Sequence, residues 1–406
     1  MIYYVQYALK GLSVYALLYM AQYSAGHEVL VGRGEYFLYV YSLMVMASPV
    51  FLLGFPSYIY RFGTSQSLYA LVIYYIIILS LLLTLAGFLF KESPEVLAMR
   101  WVISRVIFTI YESINLKHRR FDRIYIQSAF YLAGILVLVC VCMWRSLDYF
   151  ILGNLIVAIE ILSVLLSLIV KNAIKSALLS FFVSFKPITQ ELHAIFPYNV
   201  YIIFCGAALG GWLSIDKVFL NYIDFAFYRE YAFITFLFLG VHRFVTTPFV
   251  MKYSSFYNES DCYVIPRKVI LKYYLALSLF LSTVWLAIYA GEAASLIEIS
   301  ISGAFIGTSV VILLALANLT MMYFKREIKT RLMSILLLLS SSVSVIIAAL
   351  GAVLDIGTLI VTSIPVGICI FILLSGCYED SNPYFEKKIV LVFSIISAAL
   401  GVVLWR

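Results

Sequence analysis

Long apolar stretches separated by short polar links run through almost the whole chain. A helix needs about 20 mostly apolar residues to cross a bilayer, and thirteen windows of this kind occur. The pattern therefore predicts an all-α, polytopic transmembrane protein. The predicted spans are residues 4–24, 36–60, 66–90, 96–115, 124–144, 148–170, 190–213, 230–250, 267–290, 296–323, 332–354, 356–375 and 388–405.

The basic residues indicate which way the spans run. With the N-terminus in the cytoplasm, 18 Lys and Arg residues fall on cytoplasmic links and seven fall on the other side. Cytoplasmic loops of membrane proteins collect Lys and Arg, so this split favours a cytoplasmic N-terminus. The densest basic run, KHRRFDR at 117–123, is typical of a cytoplasmic anchor that touches anionic lipid, and we expect no nucleic-acid partner.

Composition agrees with this class and narrows the chemistry. Of the 406 residues, 64% are hydrophobic and only 12% are charged, about half the charged fraction of a soluble domain. The six cysteines and four histidines have no metal-ligand spacing, and the Walker A, HExxH and GxSxG signatures do not occur in the sequence. The sequence thus predicts neither an enzyme nor a metal or organic cofactor.

Charged residues inside the apolar spans are the candidate functional groups. A charge at the centre of a bilayer costs at least about 2.5–3.5 kcal/mol on insertion scales, so it faces protein or water. Arg105 and Glu112 lie on one face of the fourth span, where they could compensate each other. Such groups predict a hydrated interior that leans basic and suits an anionic ligand such as a diphosphate. The candidate residues among these charges are Lys10, Arg105, Glu112, Glu160 and Arg243.

A second concentration of charge lies at 213–233, between the predicted seventh and eighth spans. We interpret this stretch as an outer turn, which by itself explains most of its charges. An additional role of Asp216 and Lys217 in an outer gate remains open.

A short motif suggests an internal repeat. The pair Glu-Tyr at 35–36 recurs at 230–231, with an even number of predicted spans between the two. An even number predicts that the two halves are parallel, related by an axis along the membrane normal.

Two segments carry a resemblance to a known family. Residues 31–62 resemble the first-loop and second-helix signature of polysaccharide exporters. Residues 214–238 resemble the matching signature of the second half, at the turn between the seventh and eighth helices. In that signature an Asp and a basic residue end the seventh helix. The matching positions are Gly34, Tyr36, Gly54, Pro56 and Arg61 in the first segment, and Asp216, Lys217 and Tyr231 in the second.

The chain thereby resembles the polysaccharide and O-antigen flippase branch of the multidrug, oligosaccharidyl-lipid and polysaccharide exporter superfamily. The resemblance implies two six-helix bundles related by a pseudo-twofold axis, at 1–170 and 190–375. It also implies an extra C-terminal helix at 376–406. The residues at 171–189 themselves predict an amphipathic linker between the two halves. The implied activity is translocation of an undecaprenyl-diphosphate-linked oligosaccharide across the bacterial inner membrane by alternating access.

The resemblance also implies roles for the charged residues. Lys10, Arg105 and Arg243 would approach the diphosphate, and Arg61, at a helix end, would help to receive it. Glu112, Glu160, Asp216 and Lys217 are candidates for coupling or gating, with H⁺ or Na⁺ as a coupling ion. Besides membrane lipids, a polysaccharide polymerase and glycosyltransferases are the expected partners.

Two other functions stay open at this point. An O-antigen-type polymerase would share the Tyr-rich spans and the polyprenyl-linked substrate, but such enzymes usually carry a sizeable outer loop. A cation-coupled drug antiporter of the same superfamily would rely on acidic residues such as Glu112, Glu160 and Asp216. The basic-leaning interior favours the flippase over this antiporter.

Overall fold

The computed structural model describes most of the chain. The described residues are 9–13, 16–17, 31–32, 34–62, 65–89, 93–144, 147–170, 185–223, 228–246, 249, 267–293, 301–326 and 330–378. These ranges include most of the predicted spans and leave out mainly links between them and the two ends of the chain.

Helices make up nearly all of the described residues. In chain order they are α1 (Gly34–Phe51), α2 (Phe55–Phe62), α3 (Gln66–Leu89), α4 (Pro94–Lys117), α5 (Phe121–Trp144), α6 (Tyr149–Val170), α7 (Phe185–Tyr222), α8 (Tyr228–Val241), α9 (Arg267–Ala293), α10 (Ile301–Arg326), α11 (Thr330–Val353) and α12 (Gly357–Tyr378). A π-helical turn, His242–Thr246, continues α8. Two short strands, β1 (Val31–Gly32) and β2 (Leu147–Asp148), pair in parallel ahead of α1 and α6.

The helices confirm the all-α, polytopic class. Within the described residues, eight helices are long and apolar enough to cross a membrane. Two further helical segments, Tyr36–Phe51 and Tyr231–Thr246, are also apolar but shorter. Helix α4 has the length of a span, at 24 residues, but carries more charge than the other spans. The predicted span at 388–405 lies outside the described residues, as does most of the one at 4–24.

The predicted second span, 36–60, is wrong as a single helix. The structure breaks it into α1 and α2 at a turn in which Leu53 and Gly54 have φ values of 48° and 70°. This left-handed region is readily occupied by glycine and disfavoured for other residues. The side-chain amide of Asn199 donates to the Leu53 carbonyl at 2.6 Å and so stabilises the break. Periodicity could not reveal it, because both pieces are apolar.

The seventh span is longer than the sequence predicted. Helix α7 contains 38 residues and extends to Tyr222, whereas the apolar window suggested 190–213. The prediction that Asp216 and Lys217 end this helix is therefore wrong, since both lie inside it. Their charges are neutralised locally, so the helix continues through them. The predicted linker at 171–189 falls on undescribed residues up to position 184.

Contacts divide the chain into two compact units. The N-unit consists of Tyr19–Gly210, and the C-unit consists of Tyr3–Leu18 together with Gly211–Arg406. This division differs from the one that the sequence predicted, with halves at 1–170 and 190–375. The helical residues at 9–17 group with the C-unit, and α7 begins in the N-unit.

Each unit has the same order of helix packing. In the N-unit, α4 packs against α1 and α6, and α6 packs against α5. In the C-unit, α10 packs against α8 and α12, and α12 packs against α11. Helices in the same sequential positions thus make the same pairs, which is the arrangement that a parallel repeat predicts.

Aromatic side chains fill the centre of each unit. In the N-unit the buried Trp101 of α4 contacts the rings of Phe37 and Tyr41 on α1, at centroid distances of 5.7 and 5.4 Å. In the C-unit the buried Trp212 of α7 lies 5.6 Å from the buried Phe371 of α12. These rings fix the helices that carry the charged groups.

Two adjacent glycines of α7 provide a matched test of close helix packing. A Cβ at Gly210 would lie 2.5 Å from the Met46 carbonyl oxygen on α1, whereas a Cβ at Gly211 would have no neighbour within 4 Å. We expect Gly210→Ala to destabilise the protein by about 1–3 kcal/mol, because backbone must move. Gly211→Ala should be neutral or slightly stabilising, since Ala favours helix over Gly by about 1 kcal/mol. Thermal unfolding in detergent measures both, and equal melting temperatures would contradict the α1–α7 contact.

Candidate functional site

A buried ion pair joins α4 to α6 inside the N-unit. Arg105 of α4 and Glu160 of α6 are in salt-bridge contact. The Glu160 side chain is fully buried, while 21% of the Arg105 side chain remains exposed. Because α4 packs directly on α6, residues distant in sequence meet, and the two charges compensate each other away from lipid.

Both oxygens of the Glu160 carboxylate accept hydrogen bonds from α4. The Trp101 indole N–H donates to Oε1 at 3.2 Å, and the Ser104 hydroxyl donates to Oε2 at 2.6 Å. Trp101, Ser104 and Arg105 lie at i, i+3 and i+4, so one face of α4 supplies every one of these groups. The carboxylate is therefore held in one orientation, and it holds Arg105 in turn.

The rest of the Arg105 guanidinium lies among aromatic rings. Its Nη2 donates to the Tyr131 hydroxyl of α5 at 3.3 Å. Its central carbon lies 5.5 Å from the Phe108 ring centroid and 5.7 Å from that of Tyr131. Because the Arg105 side chain is not fully enclosed, a small movement would let its N–H groups meet an incoming anion. Its planar fork matches carboxylate and phosphate oxygens.

A second buried ion pair lies in the C-unit, on α7. The Lys217 ammonium donates to both oxygens of Asp216, at 2.9 and 3.0 Å, and to the Leu213 carbonyl at 3.3 Å. The Tyr231 hydroxyl of α8 donates to Asp216 Oδ2 at 2.5 Å. Lys217 also lies 5.0 Å from the Phe236 ring centroid. Both side chains of this pair are only 2% exposed, so this cluster is closed, unlike that of Arg105.

The structure places the other predicted site residues on several elements. Lys10 lies in the helical segment at 9–13 and is partly exposed. Glu112 is buried on α4, but the ion-pair partner of Arg105 is Glu160 rather than Glu112, because α6 packs on that face of α4. Arg61 belongs to α2 and Arg243 to the π-helical turn, and their side chains lie outside the described residues.

Several polar groups near these positions were not predicted. The helical spacing of Trp101, Ser104 and Arg105 could have identified the face that holds Glu160. A further carboxylate, Glu191 of α7, accepts hydrogen bonds from hydroxyls near the α2–α3 link. No sequence signal points to that cluster, because its hydroxyl donors lie 124–133 positions from Glu191 along the chain. Its donors are Tyr58 at 3.3 Å and Ser65 and Ser67 at 3.0 Å each.

Metal binding has no support from the described part of the chain. There, no group of three or more His, Cys, Asp or Glu side chains is placed to hold a metal ion. The cysteines described there are all free thiols, Cys140, Cys142, Cys205 and Cys369.

Comparison with known proteins gives one structural match. No protein-family model matches the chain, and no curated protein does. A solved structure is described as a MOP superfamily transporter from Pyrococcus furiosus whose binding pocket has reverse polarity, suggesting a different function. It aligns over 100% of this chain and 96% of its own, with 13% identity and a TM-score of 0.47. A match at this level assigns no activity to this chain.

Proposed function

We propose that the protein is a transporter that moves a polyprenyl-diphosphate-linked oligosaccharide across a bacterial inner membrane. The carrying observation is the Arg105–Glu160 pair, in which a fully buried carboxylate fixes an arginine whose side chain is only partly enclosed. Charged residues at membrane depth are expensive and usually mark a substrate or ion pathway. A partly enclosed cation suits the diphosphate of the lipid carrier better than it suits a cationic drug.

The repeated packing order of the two units supports a transport mechanism. Transporters built from parallel repeats move one bundle against the other around a site near the centre of the membrane. In this proposal Arg105 contacts the diphosphate, and Lys10, Arg61 and Arg243 contribute further positive charge along the path. Glu160 orients Arg105, and both Glu160 and Glu112 are available for coupling to H⁺ or Na⁺.

The basic turn between α4 and α5 supports contact with anionic lipid headgroups. His118, Arg119 and Arg120 are exposed there. Partial desolvation of its ring, followed by the nearby Arg120 and Lys117, lowers the pKa of His118, so its imidazole is mainly neutral at pH 7. The positive charge of the turn is therefore carried by Lys and Arg, and we place it on the cytoplasmic side.

Deletion of the gene tests this function directly. We expect single lipid-linked repeat units to accumulate in the inner leaflet, because the step that carries them outward is lost. Selective labelling of outward-facing glycan on intact cells, compared with total lipid-linked glycan after extraction, measures the distribution. Re-expression of the wild-type protein should restore the outer-leaflet fraction.

The same measurement separates the alternatives. Accumulation of unpolymerised units in the outer leaflet would identify a polymerase and overturn the flippase assignment. An unchanged glycan pool, combined with loss of drug efflux, would identify an antiporter. Neighbouring genes for glycosyltransferases and a polysaccharide polymerase are the expected context and the expected partners.

A further inference from the structure

An exposed tyrosine stacks on a buried one where α1 and α6 begin. The Tyr36 and Tyr149 rings have a centroid distance of 5.4 Å and an interplanar angle of 26°. Tyr36 is 40% exposed, whereas Tyr149 is 6% exposed. The β1–β2 pairing lies directly before both helices and fixes their ends side by side. The outer ring is therefore supported by a rigid inner one.

Polar groups continue from this aromatic pair along α6 and α4. Phe150 lies edge-on to Tyr149 at 6.4 Å, and the Arg100 guanidinium lies 5.6 Å from the Phe150 ring centroid. Arg100 Nη1 donates to Asn154 Oδ1 at 2.9 Å. The exposed Asp148, next to Tyr149 in the chain, accepts the Phe150 N–H at 3.1 Å through Oδ2.

This combination of groups has the chemistry of a carbohydrate site. One face of a pyranose ring presents C–H groups with partial positive charge, which the negative face of an aromatic ring attracts. Its hydroxyls are hydrogen-bonded by planar polar side chains with fixed geometry, such as Arg, Asn and Asp. An interfacial tyrosine that only anchors the helix needs neither the stacked partner nor the adjacent polar groups.

We propose that Tyr36, supported by Tyr149, is a binding platform for a sugar ring of the transported glycan, and that the exposed Asp148, next to Tyr149 in the chain, supplies a hydrogen-bond acceptor. The proposal rests on the proposed function and deepens it, since it assigns the sugar and the diphosphate to different places. The platform lies at the starts of α1 and α6, whereas Arg105 lies near the middle of α4.

Two lipid probes separate the two subsites. The first is the lipid-linked oligosaccharide extracted from cells that lack the gene, and the second is undecaprenyl diphosphate without sugar. Binding to protein in nanodiscs is measured by native mass spectrometry. We expect Tyr36→Ala to weaken binding of the first probe about five- to tenfold and to leave the second unchanged, because only the sugar contact is lost. Tyr36→Phe should bind both probes as the wild type does.

Tyr74 provides a matched control. It lies within the apolar α3 and is 38% exposed, so Tyr74→Ala removes an equally accessible ring from a surface without the platform. We expect it to bind both probes normally. Equal weakening of both probes by Tyr36→Ala would show that the residue only anchors the helix, and unchanged binding of both would also overturn the platform.

A third probe distinguishes failure of the platform from failure of the proposed function. The oligosaccharide is released from the lipid by mild acid and tested at high concentration. If the wild type binds this sugar but neither lipid, and Tyr36→Ala weakens that binding, the platform stands and the lipid-linked substrate is wrong. If the wild type binds none of the three probes, both proposals fail.

Discussion

Replacement of Arg105 by alanine is expected to abolish export of lipid-linked repeat units and to lower stability by about 3–5 kcal/mol. The stability loss arises because Glu160 would remain buried without its cationic partner. The export loss arises because the guanidinium, which we propose contacts the diphosphate, is removed. Thermal unfolding in detergent and the leaflet distribution of lipid-linked glycan measure the two effects.

A double substitution separates the structural effect from the functional one. Arg105→Met with Glu160→Gln removes both charges, and the amide oxygen can still accept a hydrogen bond from Trp101 or Ser104. Replacement of a buried ion pair by neutral groups of similar volume is often neutral for stability. We therefore expect this variant to recover most of the melting temperature but none of the export. Full export from it would remove Arg105 and Glu160 from the mechanism.

Removal of the Asp216 carboxylate should have the second largest effect. In Asp216→Ala the buried Lys217 ammonium loses both Asp216 oxygens and keeps only the Leu213 carbonyl as an acceptor. The Tyr231 hydroxyl also loses its acceptor. A loss of about 3–5 kcal/mol is expected for an uncompensated buried charge. Thermal unfolding and the yield of monodisperse protein from size-exclusion chromatography measure it.

The matched variant for this cluster is Asp216→Asn with Lys217→Met. It removes both charges while Asn still offers an oxygen to the Tyr231 hydroxyl, so we expect most of the stability to return. Because the wild-type cluster is closed, we also expect this variant to export normally. Normal stability combined with lost export would instead identify Asp216 and Lys217 as an outer gate, the role that the sequence left open.

The ion-pair partners show where prediction from sequence stops. Arg105, Glu112 and Glu160 were all identifiable, because a charge inside an apolar window is conspicuous. Helical spacing placed Arg105 and Glu112 on one face of α4, which made them the obvious pair. Spacing within one helix carries no information about the neighbouring helix, and α6 supplies the actual partner.

Helix ends were predictable only where polar residues mark them. Pro94 follows Ser93, whose hydroxyl accepts the Val96 N–H at 3.2 Å, and α4 begins within two residues of its predicted start. The break at Leu53 and Gly54 and the extension of α7 to Tyr222 were missed. The first depends on a capping amide from Asn199, and the second on local neutralisation of Asp216 by Lys217.

The sequence by itself determined the class of the protein, the number of apolar windows and which charges needed a partner, because the cost of exposing polar groups to hydrocarbon acts on every residue locally. Only the tertiary structure decided that Arg105 pairs with Glu160, that Tyr231 of α8 bonds to Asp216, and that Tyr36 rests on Tyr149. These choices depend on which helices lie side by side, and in an apolar chain many helix pairings bury similar side chains.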